Sequence, residues 1–316
     1  MADLPHRKLG ELSVSAVGLG CNNFGRRVDL EGTRAVVDAA LDAGIDVLDT
    51  ADIYGGQGGS EELLGQVLRG RRDQVVLATK FGMDMGEKGP SVRPRGSADY
   101  IRVAVEGSLK RLQTDVIDLY QYHRPDGETP IEETLAALDE LVKEGKVRHI
   151  GCSNFSAREL YEAHDIAEKR RYAQFVSLQN EYSMLEREIE EDVIEACEEL
   201  GVGVLPFFPL ASGLLTGKYR RGAEAPEGTR LHGRPQVADD ETFGRLEAAE
   251  RFAQERGITL LDVAIAGLAA QPMVVSVIAG ATTPEQARAN AAALRWTPSE
   301  SDLKELDSIF PTPRSR

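Results

Sequence analysis

The feature that most constrains the fold is a regular alternation of short apolar segments with amphipathic segments along the chain. The apolar segments are continuously apolar, which is typical of parallel strands that are buried on both faces. Eight such strands are predicted, at Val17–Gly20, Asp46–Thr50, Val75–Lys80, Ile117–Tyr122, Val147–Gly151, Phe175–Gln179, Gly203–Phe207 and Val274–Ala279. A helical pattern follows each strand. Eight units of this kind predict an α/β fold, the (β/α)8 TIM barrel, whose active groups lie at the carboxyl ends of the strands.

Segments outside the eight units extend the predicted barrel. An N-terminal β-hairpin is predicted from Arg7–Gly10 and Val14–Val17, and it could close the floor of the barrel. Extra helices toward the C-terminus are predicted at Phe243–Glu255, Thr259–Ala270 and Leu303–Phe310. The chain of 316 residues has no linker and no break in composition. We therefore expect residues 1–316 to form a single barrel domain, because this length is ordinary for the fold.

Charge and cysteine content argue against several classes of protein. The net charge of −15 would repel a phosphate backbone, so a nucleic-acid partner is not expected. Three cysteines without a CxxC pair argue for a reducing compartment rather than a disulfide framework. Neither a signal-peptide core nor an apolar run of bilayer length is present, and no spacing of histidines or cysteines suits a metal. A cytoplasmic protein with no membrane partner and no metal is predicted.

Four chemically active side chains fall at the ends of three neighbouring strands. Asp49 ends the second strand and Tyr54 follows it in a glycine-rich loop, while Lys80 ends the third strand and His123 follows the fourth. Each residue has an ordinary explanation by itself. Asp49 could cap a loop, and Tyr54 could pack its ring in the loop. Lys80 could extend its ammonium to solvent, and His123 could be a structural histidine. Together they suit acid–base chemistry on a carbonyl group, because a lysine kept charged by an acid lowers the pKa of a neighbouring tyrosine.

The sequence around these residues resembles the aldo-keto reductase family, and the resemblance runs from Arg7 to Asn290. The motifs that carry it are Asp49–Gly55, Ala78–Lys80, Gly151–Phe155, Gln179–Ser183 and Pro209–Lys218. The resemblance implies a barrel that binds NADP(H) across its mouth and passes hydride between the nicotinamide and the carbonyl carbon of an aldehyde or ketone. It implies that Tyr54 is the general acid/base, that Lys80 and Asp49 tune it, and that His123 positions the carbonyl.

The resemblance also implies a set of cofactor contacts. Ser153, Asn154 and Gln179 would hold the nicotinamide carboxamide, which needs both donors and acceptors, and Phe207 would stack on the nicotinamide. The other expected contacts are Gly20, Cys21, Asn22, Asp49, Phe208, Leu210, Ser212, Gly213 and Lys218, with Gly280, Thr282, Gln286 and Asn290 toward the adenosine end. The helix that begins near Pro284 would add its N-terminal dipole for a phosphate.

Ordinary alternatives accompany several of these contacts. Phe207 could belong to the core, Ser153–Asn154 could cap the next helix, and Lys218 could be a solvated lysine. Phe207 and Phe208 replace a tyrosine and a serine of many relatives, so a hydroxyl contact is lost. Several relatives carry a basic residue near Thr282 for the 2′-phosphate, whereas Thr282 offers a hydroxyl and an amide. The use of NADP rather than NAD is therefore the default of the family.

The substrate depends on the loops around the mouth. An apolar wall of Phe24, Ile53 and Phe81, joined by Phe208, would suit aromatic or aliphatic carbonyl compounds. Four loop arginines could instead attract an anionic substrate or merely solvate the loops, namely Arg93, Arg95, Arg230 and Arg234. The sequence does not choose between these interpretations, and it leaves the oligomeric state open.

Two other functions are compatible with the same residues. Some relatives on this barrel are regulatory subunits of potassium channels with slow turnover, so an interaction protein is the alternative to a carbonyl reductase. Turnover of an aromatic aldehyde would discriminate between them. A lyase with Lys80 as a Schiff-base amine is the third interpretation. It requires a lysine outside an ion pair, and Asp49 argues against it.

Overall fold

A computed structural model describes residues 4–234 and 236–312 of the chain. Residues 1–3, 235 and 313–316 of the predicted domain lie outside this description. Two strands pair antiparallel, β1 (His6–Leu9) and β2 (Leu12–Ser15). Eight more form a parallel sheet: β3 (Val17–Gly20), β4 (Val47–Asp49), β5 (Val76–Phe81), β6 (Ile117–Tyr122), β7 (Val147–Ser153), β8 (Phe175–Gln179), β9 (Gly203–Val204) and β10 (Val277–Gly280).

The eight-stranded sheet closes on itself. Its order is β10-β3-β4-β5-β6-β7-β8-β9. Val204 in β9 bonds the segment before β10 in both directions: its N–H donates to the carbonyl of Met273 at 2.7 Å, and its carbonyl accepts from the N–H of Val275 at 2.9 Å. These bonds join the two ends of the sheet, and the predicted (β/α)8 barrel with its N-terminal hairpin is confirmed.

Helices connect and surround the strands. They are α1 (Leu30–Asp42), the short turn α2 (Tyr54–Gln57), α3 (Gly59–Val67), α4 (Ala98–Leu112), α5 (Ile131–Lys143), α6 (Ala157–Arg170), α7 (Val193–Leu200), α8 (Asp240–Glu255), α9 (Leu260–Ala269), α10 (Pro284–Ala292) and α11 (Glu300–Ile309). Short 3-10 segments occur at Arg72–Gln74, Gly86–Lys88, Glu188–Glu190, Ala211–Thr216 and Ala293–Arg295. Among the residues described, we find no helix with both the length and the apolar character that a bilayer crossing requires.

The seventh strand is shorter than predicted. The sequence predicts a strand over Gly203–Phe207, whereas β9 contains only Gly203–Val204. Pro206 has no N–H to donate to the neighbouring strand, which interrupts the ladder. The chain nevertheless continues beside β8, because the N–H of Phe207 donates to the carbonyl of Asn180 at 3.1 Å. Phe207 therefore still reaches the carboxyl end of the barrel.

The hairpin closes the amino end of the barrel. Leu9 and Val14 are 2% and 1% exposed, and they belong to one apolar cluster with Val47 of β4 and Ala78 of β5. The guanidinium of Arg7 also donates to the carbonyl of Val274, just before β10, at 2.5 Å. These contacts place the hairpin at the end where the strands begin. The carboxyl ends of the strands remain available for a site, as is typical of this fold.

Candidate active site

A buried ion pair joins the ends of β4 and β5. Asp49 and Ala78 are opposite each other in the parallel ladder, so Lys80 extends beyond Asp49 on the same face. The ammonium of Lys80 donates to the Asp49 carboxylate at 2.7 Å and to the carbonyl of Thr50 at 2.9 Å. Lys80 is 0% exposed. Burial acts to lower the pKa of Lys80, but Asp49 and Tyr54 outweigh it, so the net shift is upward and Lys80 is charged.

Two glutamines fix the other side of Asp49. Its second carboxylate oxygen accepts from the amide of Gln179 at 2.8 Å and from the amide of Gln121 at 3.4 Å. Gln121 also accepts from the hydroxyl of Ser177 at 3.2 Å. Sequence reasoning missed Gln121, although a glutamine inside the apolar strand β6 is a usable signal. Gln179 is predicted to hold a carboxamide, and here its amide nitrogen is engaged by Asp49.

Tyr54 reaches the ion pair from the turn after β4. The ammonium of Lys80 lies 5.0 Å from the centroid of its ring. The turn depends on Gly55, whose φ is +69° and where an added Cβ would lie 2.4 Å from the backbone nitrogen of Ser60. A side chain at position 55 would therefore displace Tyr54 from the mouth.

The pKa of Tyr54 shifts in the direction opposite to the sequence-based expectation. Burial raises the pKa of Tyr54, and the charge of Lys80 lowers it by less. The predicted effect of Lys80 thus has the correct sign, but the expectation of a net lowering is wrong for this structure. A phenol in a poorly solvated position keeps its proton more firmly than one in water.

His123 completes the group from the end of β6. Its ring lies edge-on to the ring of Tyr54, with centroids 5.8 Å apart and planes at 85°. Its carbonyl accepts from the side-chain amide of Asn154 at 2.9 Å. Its Nδ1 is buried and has no hydrogen-bond partner within residues 4–234 and 236–312. Burial, followed by the charges of Lys80 and Arg124, lowers the pKa of His123 to about 3, so the imidazole is neutral at physiological pH.

Ser153 and Asn154 lie beside this group at the end of β7. The side-chain amide of Asn154 donates to the hydroxyl of Ser153 at 3.0 Å, and Asn154 has a left-handed backbone with φ of +59°. The cap of α6 is Ser156, whose hydroxyl accepts from the N–H of Glu159. The alternative that Ser153–Asn154 cap the helix is therefore wrong. Their polar groups face the same edge as His123, where a carboxamide would find both donors and acceptors.

The loop after β9 carries the predicted aromatic contact. Phe207 and Phe208 are half-buried and pack edge to face, with ring centroids 5.2 Å apart. Phe207 is thus not an enclosed core residue, which favours the contact over the core alternative. Within the same loop, Leu210 and Ser212 are half-buried and Lys218 is exposed. An added Cβ on Gly213, at φ of +94°, would lie 2.8 Å from Lys218, so this glycine lets the lysine fold over the loop.

The ends of β10 and β3 form a strip almost without side chains. Gly280 is exposed and pairs with Gly20. Asn22, two residues after Gly20, is half-buried. Cys21 is 0% exposed, so only its backbone could contact a cofactor. Adjacent glycines let a ligand approach the backbone closely. This strip suits the predicted extended dinucleotide.

The start of α10 continues this strip. The amide and the hydroxyl of Thr282 both donate to the side-chain oxygen of Gln286, at 2.8 and 3.1 Å. Thr283 caps the helix with its hydroxyl. Asn290 is 3% exposed and donates to the carbonyl of Gly280 at 3.4 Å. The expected adenosine contacts thus form two hydrogen-bonded pairs, Thr282 with Gln286 and Asn290 with Gly280.

The predicted apolar wall needs a correction. Phe24 and Phe81 are both 0% exposed, so their rings do not border the mouth in this structure. Phe81 stacks between the rings of Tyr120 and Tyr122, with centroids at 4.8 and 5.1 Å. Ile53 is only half-buried. Aromatic stacking removes Phe81 from the expected pocket, and burial in the main apolar core removes Phe24. Sequence spacing reveals neither.

A cavity at the opposite end of the strands does not compete with this site. It has a volume of about 530 Å³ and is lined by Arg71, Arg72 and Arg148, among others. Arg71 pairs with Asp38, and Arg72 and Arg148 both pair with Asp118, at 2.6 and 2.5 Å. Each of these three arginines therefore has an acidic partner in the structure. The four predicted residues Asp49, Tyr54, Lys80 and His123 lie instead toward the carboxyl ends of the strands.

Comparisons with known proteins identify the family of the chain. Residues 16–310 match the sequence model of the Aldo/keto reductase family. The chain is 39% identical to an uncharacterized oxidoreductase, YrpG, of Bacillus subtilis (strain 168), over 96% of this chain and 94% of the relative. It is 34% identical to a probable voltage-gated potassium channel subunit beta of Oryza sativa subsp. japonica, over 93% and 92%. It is also 34% identical to the aldo-keto reductase yakc of Schizosaccharomyces pombe, whose name specifies NADP(+), over 96% and 90%.

Proposed function

The chain belongs to the aldo/keto reductase family, and on this premise we propose that it is an NADP-dependent carbonyl reductase. It would convert an aldehyde or ketone reversibly into the alcohol. The observation that carries the proposal is the geometry of the four predicted residues. Lys80 and Asp49 form a buried ion pair at 2.7 Å, and Tyr54 and His123 are in ring contact beside it.

Proton transfer is the task of Tyr54 in this proposal. Because burial raises the pKa of Tyr54, the phenol is protonated at neutral pH and can donate to the carbonyl oxygen during reduction. The ammonium of Lys80 stabilises the phenolate that remains, and Asp49 keeps Lys80 charged and in place. His123 is neutral, so it can orient the carbonyl by a hydrogen bond without a positive charge. NADPH, when bound, supplies the hydride.

The cofactor proposal rests on residues around these four. Ser153, Asn154 and the strip from Gly20 to Gly280 offer the polar groups and the open backbone that a dinucleotide requires. The relative from Schizosaccharomyces pombe, whose name specifies NADP(+), favours NADP over NAD. A cytoplasmic location and one domain over residues 1–316 are part of the same proposal, on the sequence arguments alone.

Substitution of the general acid tests the proposal. In Tyr54→Phe, turnover of an aromatic aldehyde should fall by about two to four decades, because the ring remains and the acidic proton is lost. The Kd for NADPH, measured by fluorescence titration, should stay near the wild-type value. Tyr161→Phe is the matched control, since this hydroxyl lies on α6 and bonds Glu199. A Tyr54→Phe variant that retains wild-type turnover would contradict the assignment of all four residues.

A second candidate function is a regulatory subunit with slow turnover. The relative from Oryza sativa, named as a probable channel subunit, favours it. Steady-state rates with a panel of aldehydes would separate the two functions. Turnover within the ordinary enzymatic range of about 1 s⁻¹ or faster supports the reductase. Tight NADPH binding with turnover far below that range supports the regulatory function.

The lyase interpretation has less support. A Schiff base requires a neutral amine, whereas the ammonium of Lys80 lies 2.7 Å from the Asp49 carboxylate. Its pKa is raised rather than lowered in this surrounding. We therefore expect no covalent adduct on Lys80 after treatment with an aldehyde and borohydride, as measured by intact-mass spectrometry.

A further inference from the structure

A layer of buried hydroxyl groups lies behind the ion pair of Asp49 and Lys80. Thr50 directly follows Asp49, and Thr79 directly precedes Lys80 in β5. Successive side chains of a strand point to opposite faces, so Thr79 is directed away from the face that Lys80 occupies. Both threonines are 0% exposed. Their hydroxyl groups therefore need partners within the protein.

The start of α3 supplies these partners. The hydroxyl of Thr79 donates to a carboxylate oxygen of Glu61 at 2.6 Å. The hydroxyl of Ser60 donates to the carbonyl of Cys21 at 2.8 Å, so it accepts from the hydroxyl of Thr50 at 2.8 Å. Ser60 and Glu61 are both 0% exposed. Two consecutive residues of one helix thus bond the carboxyl-end region of β3, β4 and β5.

The backbone of Thr50 passes this restraint on to Lys80. The carbonyl of Thr50 accepts from the ammonium of Lys80 at 2.9 Å, and the N–H of Thr50 donates to the carbonyl of Ala78 at 2.9 Å. The N–H of Asp52 donates to the carbonyl of Lys80 at 3.1 Å. Residues 50–52 are therefore bonded to β5 on both sides of Thr79. A shift of β5 against α3 would disturb the surroundings of the ammonium.

An ion pair with α4 holds Glu61 in place. Its second carboxylate oxygen accepts from the guanidinium of Arg111 at 2.7 Å, and the side chain of Arg111 is only 19% exposed. Solvent screens such a pair less than one on the surface. Arg111 also lies against Gly58, where φ is +101° and an added Cβ would be 2.6 Å from the arginine side chain. Gly58 joins α3 to the turn that begins with Tyr54, so the ion pair adjoins this turn.

We propose that Glu61 and Thr79 are positioning residues for the ammonium of Lys80. Their hydrogen bond fixes β5 to α3, which keeps the ammonium 5.0 Å from the centroid of the Tyr54 ring. The inference rests on the proposed function, because it assigns residues that support the same general acid. The carboxylate of Glu61 takes no part in proton transfer and acts through the position of Lys80.

A displaced ammonium would weaken the general acid. The charge of Lys80 lowers the pKa of Tyr54 against the larger effect of burial, and the charge of Asp49 raises it. Movement of Lys80 away from the ring would raise the pKa of Tyr54 further and slow proton donation to the carbonyl oxygen. Binding of NADPH requires no proton transfer, so the expected defect is confined to the chemical step.

The experiment replaces Thr79 by valine, which has the same shape without the hydroxyl, and by serine, which keeps the hydroxyl. Single-turnover oxidation of NADPH by benzaldehyde, followed by stopped flow, gives the rate of the chemical step. In Thr79→Val this rate should fall about tenfold, as expected for one lost hydrogen bond to a charged group. Thr79→Ser should retain most of the wild-type rate. The Kd for NADPH should stay near the wild-type value in both variants.

Two further variants separate positioning from stability. Ser15 is 0% exposed, and its hydroxyl donates to the carbonyl of Val17 at 2.7 Å at the amino end of β3. Ser15→Ala is the control, and it should lower the free energy of unfolding but keep the wild-type rate. In a Lys80→Met background, Thr79→Val should cause no further loss of rate, because its effect passes through the ammonium.

Three results would overturn the inference and leave the reductase intact. A wild-type rate in Thr79→Val would mean that the hydroxyl layer serves stability alone. A weaker Kd for NADPH at an unchanged rate would assign the layer to cofactor binding. An equal loss of rate with and without Lys80 would show that the effect bypasses the ammonium. If the wild-type protein itself does not oxidise NADPH with any aldehyde, the reductase and the positioning role fail together.

Discussion

At the scale of single residues, three buried carboxylates near the site, those of Asp49, Glu61 and Asp52, differ in how their charge is compensated. Asp49 is paired with Lys80, and Glu61 accepts from the guanidinium of Arg111 at 2.7 Å. Asp52 is also 0% exposed, but neither of its oxygens has a hydrogen-bond partner in the described part of the chain. Burial, followed by the charge of Glu61, raises the pKa of Asp52 well above its ordinary value. Asp52 thus stays protonated to a higher pH in the folded protein than in the unfolded chain.

This shift makes stability depend on pH. The unfolded chain loses the Asp52 proton near pH 3.9, whereas the folded chain retains it, so Asp52 costs stability as the pH rises above about 4. The slope is about 1.4 kcal/mol per pH unit until the pKa of the folded state is reached. Asp52→Asn removes this loss. Its free energy of unfolding relative to wild type, measured with urea, should therefore increase from pH 4 to pH 7.

Asp118→Asn is the contrasting variant. Asp118 is 1% exposed and accepts from Arg72, Arg148 and the N–H of Leu77. Removal of a compensated carboxylate leaves its cationic partners unpaired, so this variant should be less stable than wild type at pH 7. If Asp52→Asn loses stability at pH 7 as Asp118→Asn does, Asp52 has an ionic partner that the structure lacks.

At the scale of elements, the site is assembled from strand ends and helix starts. Position 282 lies between β10 and α10, where Thr282 bonds Gln286 and the N-terminus of α10 is close. A helix N-terminus favours a phosphate, and an arginine there adds a bidentate donor. The loop after β10 is therefore the element on which we expect cofactor choice to depend.

Thr282→Arg tests this element. The Kd for NADPH should decrease about tenfold relative to the Kd for NADH, because the new guanidinium can bind the 2′-phosphate. Fluorescence titration with each cofactor gives the ratio. Thr282→Gln has a long side chain without charge and should leave the ratio near wild type. An unchanged ratio in Thr282→Arg would place the 2′-phosphate away from this loop.

At the scale of the whole molecule, we expect the barrel to separate stability from function between its two ends. The hairpin β1–β2 fills the amino end, and the ion pair of Asp49 and Lys80 lies toward the carboxyl end. Leu9→Ala should lower the free energy of unfolding by about 2 to 4 kcal/mol, because it leaves a cavity under the barrel. Urea denaturation measures this loss. The Kd for NADPH should remain at the wild-type value.

Leu12→Ala is the control for this separation. Leu12 lies on the same hairpin but is only half-buried, so its truncation should cost clearly less stability than Leu9→Ala. A large change in NADPH affinity in Leu9→Ala would show that the two ends of the barrel are coupled.

The sequence by itself determined the barrel, and it selected the four residues that we propose to be reactive. Strand and helix periods are local properties, so the eight units could be predicted with small errors at their ends. Asp49, Tyr54, Lys80 and His123 could be selected because parallel strands bring their carboxyl ends to one edge. The seventh strand was predicted too long because Pro206 interrupts the ladder without interrupting the apolar pattern.

Only the tertiary structure decided which side chains are buried and which charges meet. It removed Phe24 and Phe81 from the expected wall, and it added Gln121 to the partners of Asp49. It also reversed the net shift of the Tyr54 pKa, because desolvation depends on all surrounding residues. The contact of Arg27 with the carbonyl of Gly228 has the same origin, since loops distant in sequence meet only when the barrel closes. Burial and electrostatics are sums over neighbours in space, which local sequence patterns do not contain.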